Sequence, residues 1–397
     1  MSDLGARVLS GIDRAALVAT TQRLVRVPGQ NPPGDEGATA AEVLAVAAEL
    51  GLPGERYDVT PGRPNLTVTL PGGEGPGLLL LGHTDVVPVG DGWSVDPYGG
   101  QVIDGRVHGR GSTDMKGGLA ACLLAMAAVH DAGVELTGPV RLAALADEEQ
   151  NGIGVRDWIA RPRPDLLGCI VAEPTDLQTI VAARGACYLD LEVRGVAAHS
   201  GRPDDGRNAI SGAAAIVAEI DRWHAEHAVA DAHPLVGPPT FNVGVISGGT
   251  GPSIVPAECR LRVDRRLLPS EEAGEVLERV RRRLDALGLE ERGLSWSITS
   301  PMDMPGFETP ADSPLVTAVD AALADAGGPG RGLGGWTAAC DGGFVAREWG
   351  VPVVVLGPGS VATQAHRADE SVGVDELVVA ARAYALSIVR LLAAKNL

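Results

Sequence analysis

Apolar and polar positions follow two different rhythms along this chain. Up to about residue 183, helix-period stretches take turns with short apolar runs. Helices are predicted over 13–26 and 37–50, parted by the breaker-rich "VPGQNPPGDEG". Strands are predicted in "RYDV", "NLTVTL" and "GLLLLGH", the last a continuous apolar run typical of a strand covered on both faces. "QVIDGRVHG" (101–109) reads as an Asp-Gly hairpin. An Ala-rich helix follows over 114–132, then a strand over 139–146, a helix over 153–160 and a buried strand in "LLGCIVAEP". Such alternation implies an α/β layered sheet.

From 184 to 300 the rhythm changes. "GACYLDLEVRG" reads as a strand, "NAISGAAAIVAEIDRWHAEHA" as a helix, and "TFNVGVISGG" and "ECRLRVDRRLL" as strands. "SEEAGEVLERVRRRLDALG" is an amphipathic helix with Val276, Val280, Leu284 and Leu287 inward, and "LSWSITS" is a closing strand. The order β-α-β-β-α-β is the ferredoxin-like split unit. Helix–strand alternation then resumes, with helices over 313–326, 338–349 and 374–394, a strand in "VPVVVLG", and a flexible loop in "GGPGRGLGGW" (327–336). The chain therefore divides as 1–183 and 301–397 for a larger domain, interrupted by an inserted domain at 184–300.

Composition narrows the function. With 397 residues, 45% hydrophobic and 21% charged, this is ordinary globular protein. A net charge of −18 argues against nucleic acid or an anionic membrane as partner. Cys122, Cys169, Cys187, Cys259 and Cys340 are scattered and form no CxxC pair, which fits a reducing cytoplasm. The opening residues show no signal-peptide pattern, and the longest apolar run, 117–129, is too short to span a bilayer.

Chemistry-bearing residues gather where ligands bind in open α/β sheets, at element ends. His83 and Asp85 follow "LLLLG", and Asp114 opens the Ala-rich helix. Glu148 and Glu149 end strand 139–146, Glu173 follows "CIVA", and His366 comes after "VPVVVLGPG". Singly, each is more often a solvated polar residue. Together, two imidazoles and several carboxylates without thiolate form the donor set of a dinuclear divalent site, suited to zinc, with cobalt or manganese as substitutes. Of the run Asp147-Glu148-Glu149, one glutamate would hold metal and its neighbour act as base. Gly330, Gly332 and Gly335 satisfy GxGxxG but follow a helix, so a dinucleotide reading fails its context. GxxxxGK[ST] and GxSxG do not occur. His108, His130, His224, His227 and His233 are read as surface residues without a role.

"LGHTDVVPVGDGWSVDPYGG", "GRGSTDMKGG", "DEEQNG", "AEPT", "AAHSGRPDDGRNAI" and "GPG…AHRADESV", in this order, resemble the acetylornithine deacetylase / succinyl-diaminopimelate desuccinylase family of dinuclear zinc amidohydrolases, relatives of carboxypeptidase G and aminoacylase. The likeness runs from about residue 14 to the C-terminal helix and specifies the family far better than the member. It implies a zinc-exopeptidase-like catalytic domain with a central mixed sheet, plus an inserted ferredoxin-like lid and dimerisation domain. It implies two divalent ions bridged by Asp114, one completed by His83 and Glu173, the other by Glu149 and His366. Asp85 would orient His83, and Glu148 would be the general base for a metal-bridging water. His199 would stabilise the oxyanion in the partner subunit of a homodimer, and Arg266 would take a substrate carboxylate. Ser253, Gly357 and Gly359 fall among the substrate-binding positions. Two departures concern substrate fit: Ser253 stands where the family usually has Asn, and "TAACDGGFV" (337–345) places its acid at Asp341.

The leading expectation is a cytoplasmic hydrolase of N-acyl amino acids, of deacetylase or desuccinylase type. A dipeptidase or carboxypeptidase of the same chemistry is the alternative. A catalytically inactive binding protein of the same fold is the third reading.

Overall fold

The computed structural model describes residues 3–230 and 232–394. They divide into two compact units. One comprises the chain up to Val181, Glu308–Gly335 and the residues from Asp341 onward; the other comprises Ala182–Phe307 with Trp336–Cys340.

The larger unit is built on a mixed sheet. Its strands lie in the order Gly54–Thr60, Arg63–Leu70, Val140–Leu145, Gly77–His83, Leu166–Val171, Val353–Val355, Ile180–Ala183 and Phe307–Glu308. Gly77–His83 runs parallel to both Val140–Leu145 and Leu166–Val171. Because the three share a direction, their C-terminal ends open onto one edge. That edge receives His83, the acidic run after Leu145, and Glu173.

Gly77–His83 is buried at every position, as its unbroken apolar run predicts. Helix Gly117–Asp131 is buried along its first thirteen residues and packs with helix Val374–Leu392 in the same core. Close approach explains one of its glycines: a Cβ on Gly118 would lie 2.2 Å from the Ala172 carbonyl oxygen. Local signals set other helix starts. Asp13 accepts from the Ala15 amide at 2.7 Å ahead of helix Arg14–Val25. Ser313 accepts from the Val316 amide ahead of Pro314–Asp325, with Pro314 at the first helical position.

The smaller unit is a four-stranded antiparallel sheet in the order Thr240–Gly248, Glu258–Leu267, Gly185–Arg194, Ser295–Met304. Helices Ala209–Ala230 and Ala273–Asp285 complete the chain order β-α-β-β-α-β. Alternate residues of Glu258–Leu267, among them Leu261, Val263 and Leu267, join Val276, Val280 and Leu284 in one core. Leu287 is only partly buried, because the helix ends at Asp285.

Several sequence expectations are corrected. The Ala-rich helix starts at Gly117, not 114. Asp114 lies in a preceding turn with extended backbone angles (φ −121°, ψ 94°), which aim it independently of the helix. The helix expected over 338–349 starts at Gly342. Gly334–Trp336, expected as flexible loop, is a short strand paired with Ile180–Ala183. His227 is not a surface residue: it is 7% exposed and its ring packs at a tilt against Trp223, ring centroids 5.3 Å apart. Helix Asp3–Ser10, only eight residues long, and the three-residue strand Ser371–Gly373 are too short to be predicted from pattern.

Candidate metal centre

His83, the last residue of its strand, is held opposite Leu145 by the parallel ladder and is 1% exposed. Its Nδ1 lies 2.9 Å from the backbone carbonyl of Asp85, with the Asp85 carboxylate farther away at 3.5 Å. That carboxylate has another task. It accepts the amides of Glu148 at 3.2 Å and Glu149 at 3.1 Å, and the Asn31 side-chain amide at 2.9 Å. Asp85 therefore clamps the turn that presents both glutamates.

The third acid of that run faces elsewhere. Asp147 adopts a left-handed backbone (φ 69°), which turns its side chain from the strand's alternation. Its Oδ1 accepts from Asn31 and Arg63, each at 2.8 Å, and its Oδ2 accepts the amides of Asn151 and Ile153. Arg63 pairs also with buried Glu36. One side chain of the acidic run is thus neutralised by an arginine, while Glu148 and Glu149 face the cluster.

Asp114 stands at the middle. Its Oδ1 is 3.2 Å from His83 Nε2, which also lies 3.4 Å from Glu173 Oε1. Its Oδ2 is 3.2 Å from His366 Nε2, which lies 3.1 Å from Glu149 Oε2. The two oxygens of one carboxylate so address two separate imidazole–carboxylate pairs. Donors about 2.0–2.1 Å from a tetrahedral zinc lie roughly 3.3 Å apart, close to these four imidazole–carboxylate distances, and donor atoms of His83, Asp114 and Glu149 also lie within 4.8 Å of one another. Glu148 also comes within ligand distance of His83 and Glu173.

The electrostatics call for cations. Burial, together with neighbouring carboxylates, pushes Glu148 well above the usual range even though His83 pulls it down. Burial and Asp114 push Glu173 up to about 8, and the same causes raise Glu149. Asp114 is held low by His366 and His83 in spite of its burial. His366 is pushed up to about 10 by Asp114 and Glu149. A buried set of this sign and density is stable when divalent ions take the place of the protons.

Two glycines of the predicted site lie in the same unit. A Cβ on Gly357 would sit 2.4 Å from the Glu173 carbonyl oxygen, and Gly359 (φ 84°) lies against Thr113. Close packing beside the Glu173 and Asp114 segments accounts for both. His199, Ser253 and Arg266 belong to the smaller unit. His199 and Ser253 are exposed; His199 bridges Ile254, and the Ser200 amide donates to the Ser253 carbonyl. Arg266 donates to Asp264 through Nε and Nη2 at 3.1 and 3.0 Å.

Sequence reasoning missed Asn31, Arg63, Arg110 and Glu370, which hold the ligand-bearing segments from behind. Asn31 precedes two prolines, and Glu370 ends "HRADE"; neither carries a signal without its partner. Asp341 is 2% exposed, and neither carboxylate oxygen has a hydrogen-bond partner among the described residues. Burial pushes it up to about 7.

Parallel strand ends and a shared carboxylate between two imidazole–carboxylate pairs define a metallopeptidase-like hydrolase of amide bonds. The model of Peptidase family M20/M25/M40 matches residues 79–390, and the chain belongs to that family. It is 32% identical over 316 residues to the acetylornithine deacetylase of Proteus mirabilis, with 78% of each chain covered. It is 33% identical over 333 residues to the succinyl-diaminopimelate desuccinylase of Stenotrophomonas maltophilia, covering 80% of this chain and 84% of that one. Among solved structures, an aminopeptidase of Bacillus cereus superposes with a TM-score of 0.77 at 22% identity, covering 96% and 99% of the two chains. A dinuclear metal-binding peptidase of the same family from Bacillus subtilis superposes with a TM-score of 0.71 at 16% identity, covering 95% and 98%.

Proposed function

We propose that this protein hydrolyses the amide bond of an N-acyl amino acid, as a deacetylase or desuccinylase. In this reading His83, Asp114 and Glu173 hold one divalent ion, and Asp114, Glu149 and His366 hold a second, with zinc the favoured metal. The observation that carries it is the division of the Asp114 oxygens between two imidazole–carboxylate pairs at 3.1–3.4 Å. The N-acyl amino acid class is supported by the names of the two curated relatives, which share about a third of their aligned residues with this chain.

Bound divalent ions polarise an amide carbonyl and lower the pKa of the attacking water. Glu148, held by its amide to Asp85, takes the water's proton and returns it to the leaving nitrogen. His199, from a second copy of the chain in a homodimer formed through the inserted domain, donates to the oxyanion. Arg266 takes the substrate carboxylate with its planar fork. Ser253, Gly357 and Gly359 line the substrate. Cys122, Cys169, Cys187 and Cys259 are free and buried, in keeping with a cytoplasmic setting. Among the described residues no helix is long and apolar enough to cross a membrane.

The test is a substrate panel of N-acetylornithine, N-succinyl-diaminopimelate and simple dipeptides, run after restoring zinc, cobalt or manganese. N-acyl amino acids should turn over at least about tenfold faster than dipeptides, the discrimination a few binding contacts can supply. Faster dipeptide cleavage would replace the deacylase by a peptidase. Two bound ions without turnover of any substrate would leave a binding protein.

A further inference from the structure

Arg110 and Glu370 form an ion pair at 2.6 Å with side chains only 2% and 0% exposed. Burying two charges is costly unless further hydrogen bonds use them. Here they are used on three ligand-bearing segments. Glu370 Oε1 accepts the backbone amides of Thr113 at 2.9 Å and Asp114 at 3.0 Å. Arg110 Nη1 donates to the carbonyl of Arg367, next to His366, at 3.1 Å. Arg110 Nη2 donates to the carbonyls of Pro88 and Val89, just past Asp85. Arg110 and Glu370 as a pair thus tie the chain after His83, the Asp114 turn and the His366 loop together.

The two ion sites differ in how much they need such a tie. His83 ends a strand paired on both sides, and Glu173 follows a strand whose continuation, the Ala172 amide, donates to the Leu81 carbonyl at 2.9 Å. His366 sits in a loop, with a left-handed backbone (φ 63°) and a side chain 52% exposed. Gln364 and Ala365 bond within that loop to Ser360, and Ser94 reaches Asp369 at its rim. Arg110 reaches from the body of the unit to the peptide group beside His366.

Resting on the two-ion reading above, we propose that the Arg110–Glu370 pair is a positioning device that sets the affinity of the Glu149–His366 ion site, leaving the His83–Glu173 site to its strand ends. Neither residue belongs to the proposed ion-holding or substrate-binding set. Arg110 acts through the loop, and Glu370 acts through the Asp114 amide.

The experiment is a stepwise titration of chelator-stripped protein with zinc and with cobalt, following heat and the cobalt absorption bands. His366→Ala marks which step belongs to its site. Arg110→Met combined with Glu370→Gln removes both charges and keeps an amide oxygen for Thr113 and Asp114. It should bind the first ion as the parent does and the second about tenfold or more weakly, the usual scale for outer supports of metal ligands. Arg110→Lys, a point charge without the fork, should fold normally and recover the second ion only in part. Equal weakening of both steps, or no change in either, would overturn the proposal; thermal unfolding of the metal-free forms identifies a variant that has merely lost its fold. A parent protein that takes up fewer than two ions would overturn the two-ion reading itself, and this inference with it.

Discussion

Glu148 and Glu149 are chemically identical neighbours, yet their surroundings divide their work. Glu149 pairs with His366 in the proposed second ion site, while Glu148 stands beside His83 and Glu173. Glu148→Gln keeps shape and removes the proposed base. It should retain both ions and lose about a hundred- to ten-thousandfold in kcat, the range for a positioned general base. Metal analysis and kcat on the best N-acyl substrate check this, and substantial turnover in the variant would remove Glu148 from the role. The sequence shows these glutamates as a run at a strand end. It does not show that Asp147, in the same run, turns away toward Asn31 and Arg63, because that depends on residues 116 and 84 positions distant.

At the scale of elements, the turn after Val140–Leu145 is held by two carboxylates from behind. Asp85 grips the amides of Glu148 and Glu149, and Asp147 grips those of Asn151 and Ile153 while pairing with Arg63. Asp147→Ala would leave Arg63 to Glu36 and Asn31 to Asp85, and would deprive the Asn151 and Ile153 amides of their acceptor. A loss of about 1–3 kcal/mol in urea unfolding of the metal-free protein is the predicted cost of the hydrogen bonds left unmade. Asp147→Asn should cost less, since Asn keeps an acceptor and tolerates the left-handed backbone. A neutral Asp147→Ala would show that the clamp contributes nothing. Strands and long helices were legible from periodicity because each buries a face that repeats in the sequence. The displaced start of the Gly117 helix was not: Asp114 is a polar residue just before an apolar helix, the same pattern that a capping residue makes.

For the whole molecule, the acidic cluster ties stability to pH and metal. Burial raises Glu173 to about 8 and Asp341 to about 7 from usual values of 4.5 and 3.8. Across that window the folded, metal-free protein holds protons that the unfolded chain has released, so stability falls as pH rises. His366, raised to about 10, adds the same sign above its usual 6.5. Lys116, lowered by burial to about 7, opposes it above that value, so the clean window is from about 4.5 to 7. Calorimetry with chelator should show Tm falling between about pH 5 and 7. The rise in Tm on adding zinc should grow over the same range, because the ion replaces protons. A flat metal-free Tm, or a zinc effect that shrinks with pH, would contradict this account.

By itself the sequence determined the α/β architecture and the identities of the clustered imidazoles and carboxylates. Periodicity is local, and donor chemistry belongs to each residue type. The tertiary structure alone decided that Asp114 faces two imidazoles with its two oxygens. It also decided that Asp147 is neutralised by Arg63, and that Arg110 and Glu370 lie buried behind the His366 loop. Those are contacts between segments far apart in the chain, set by how parallel strands line up their ends, and no local pattern encodes them.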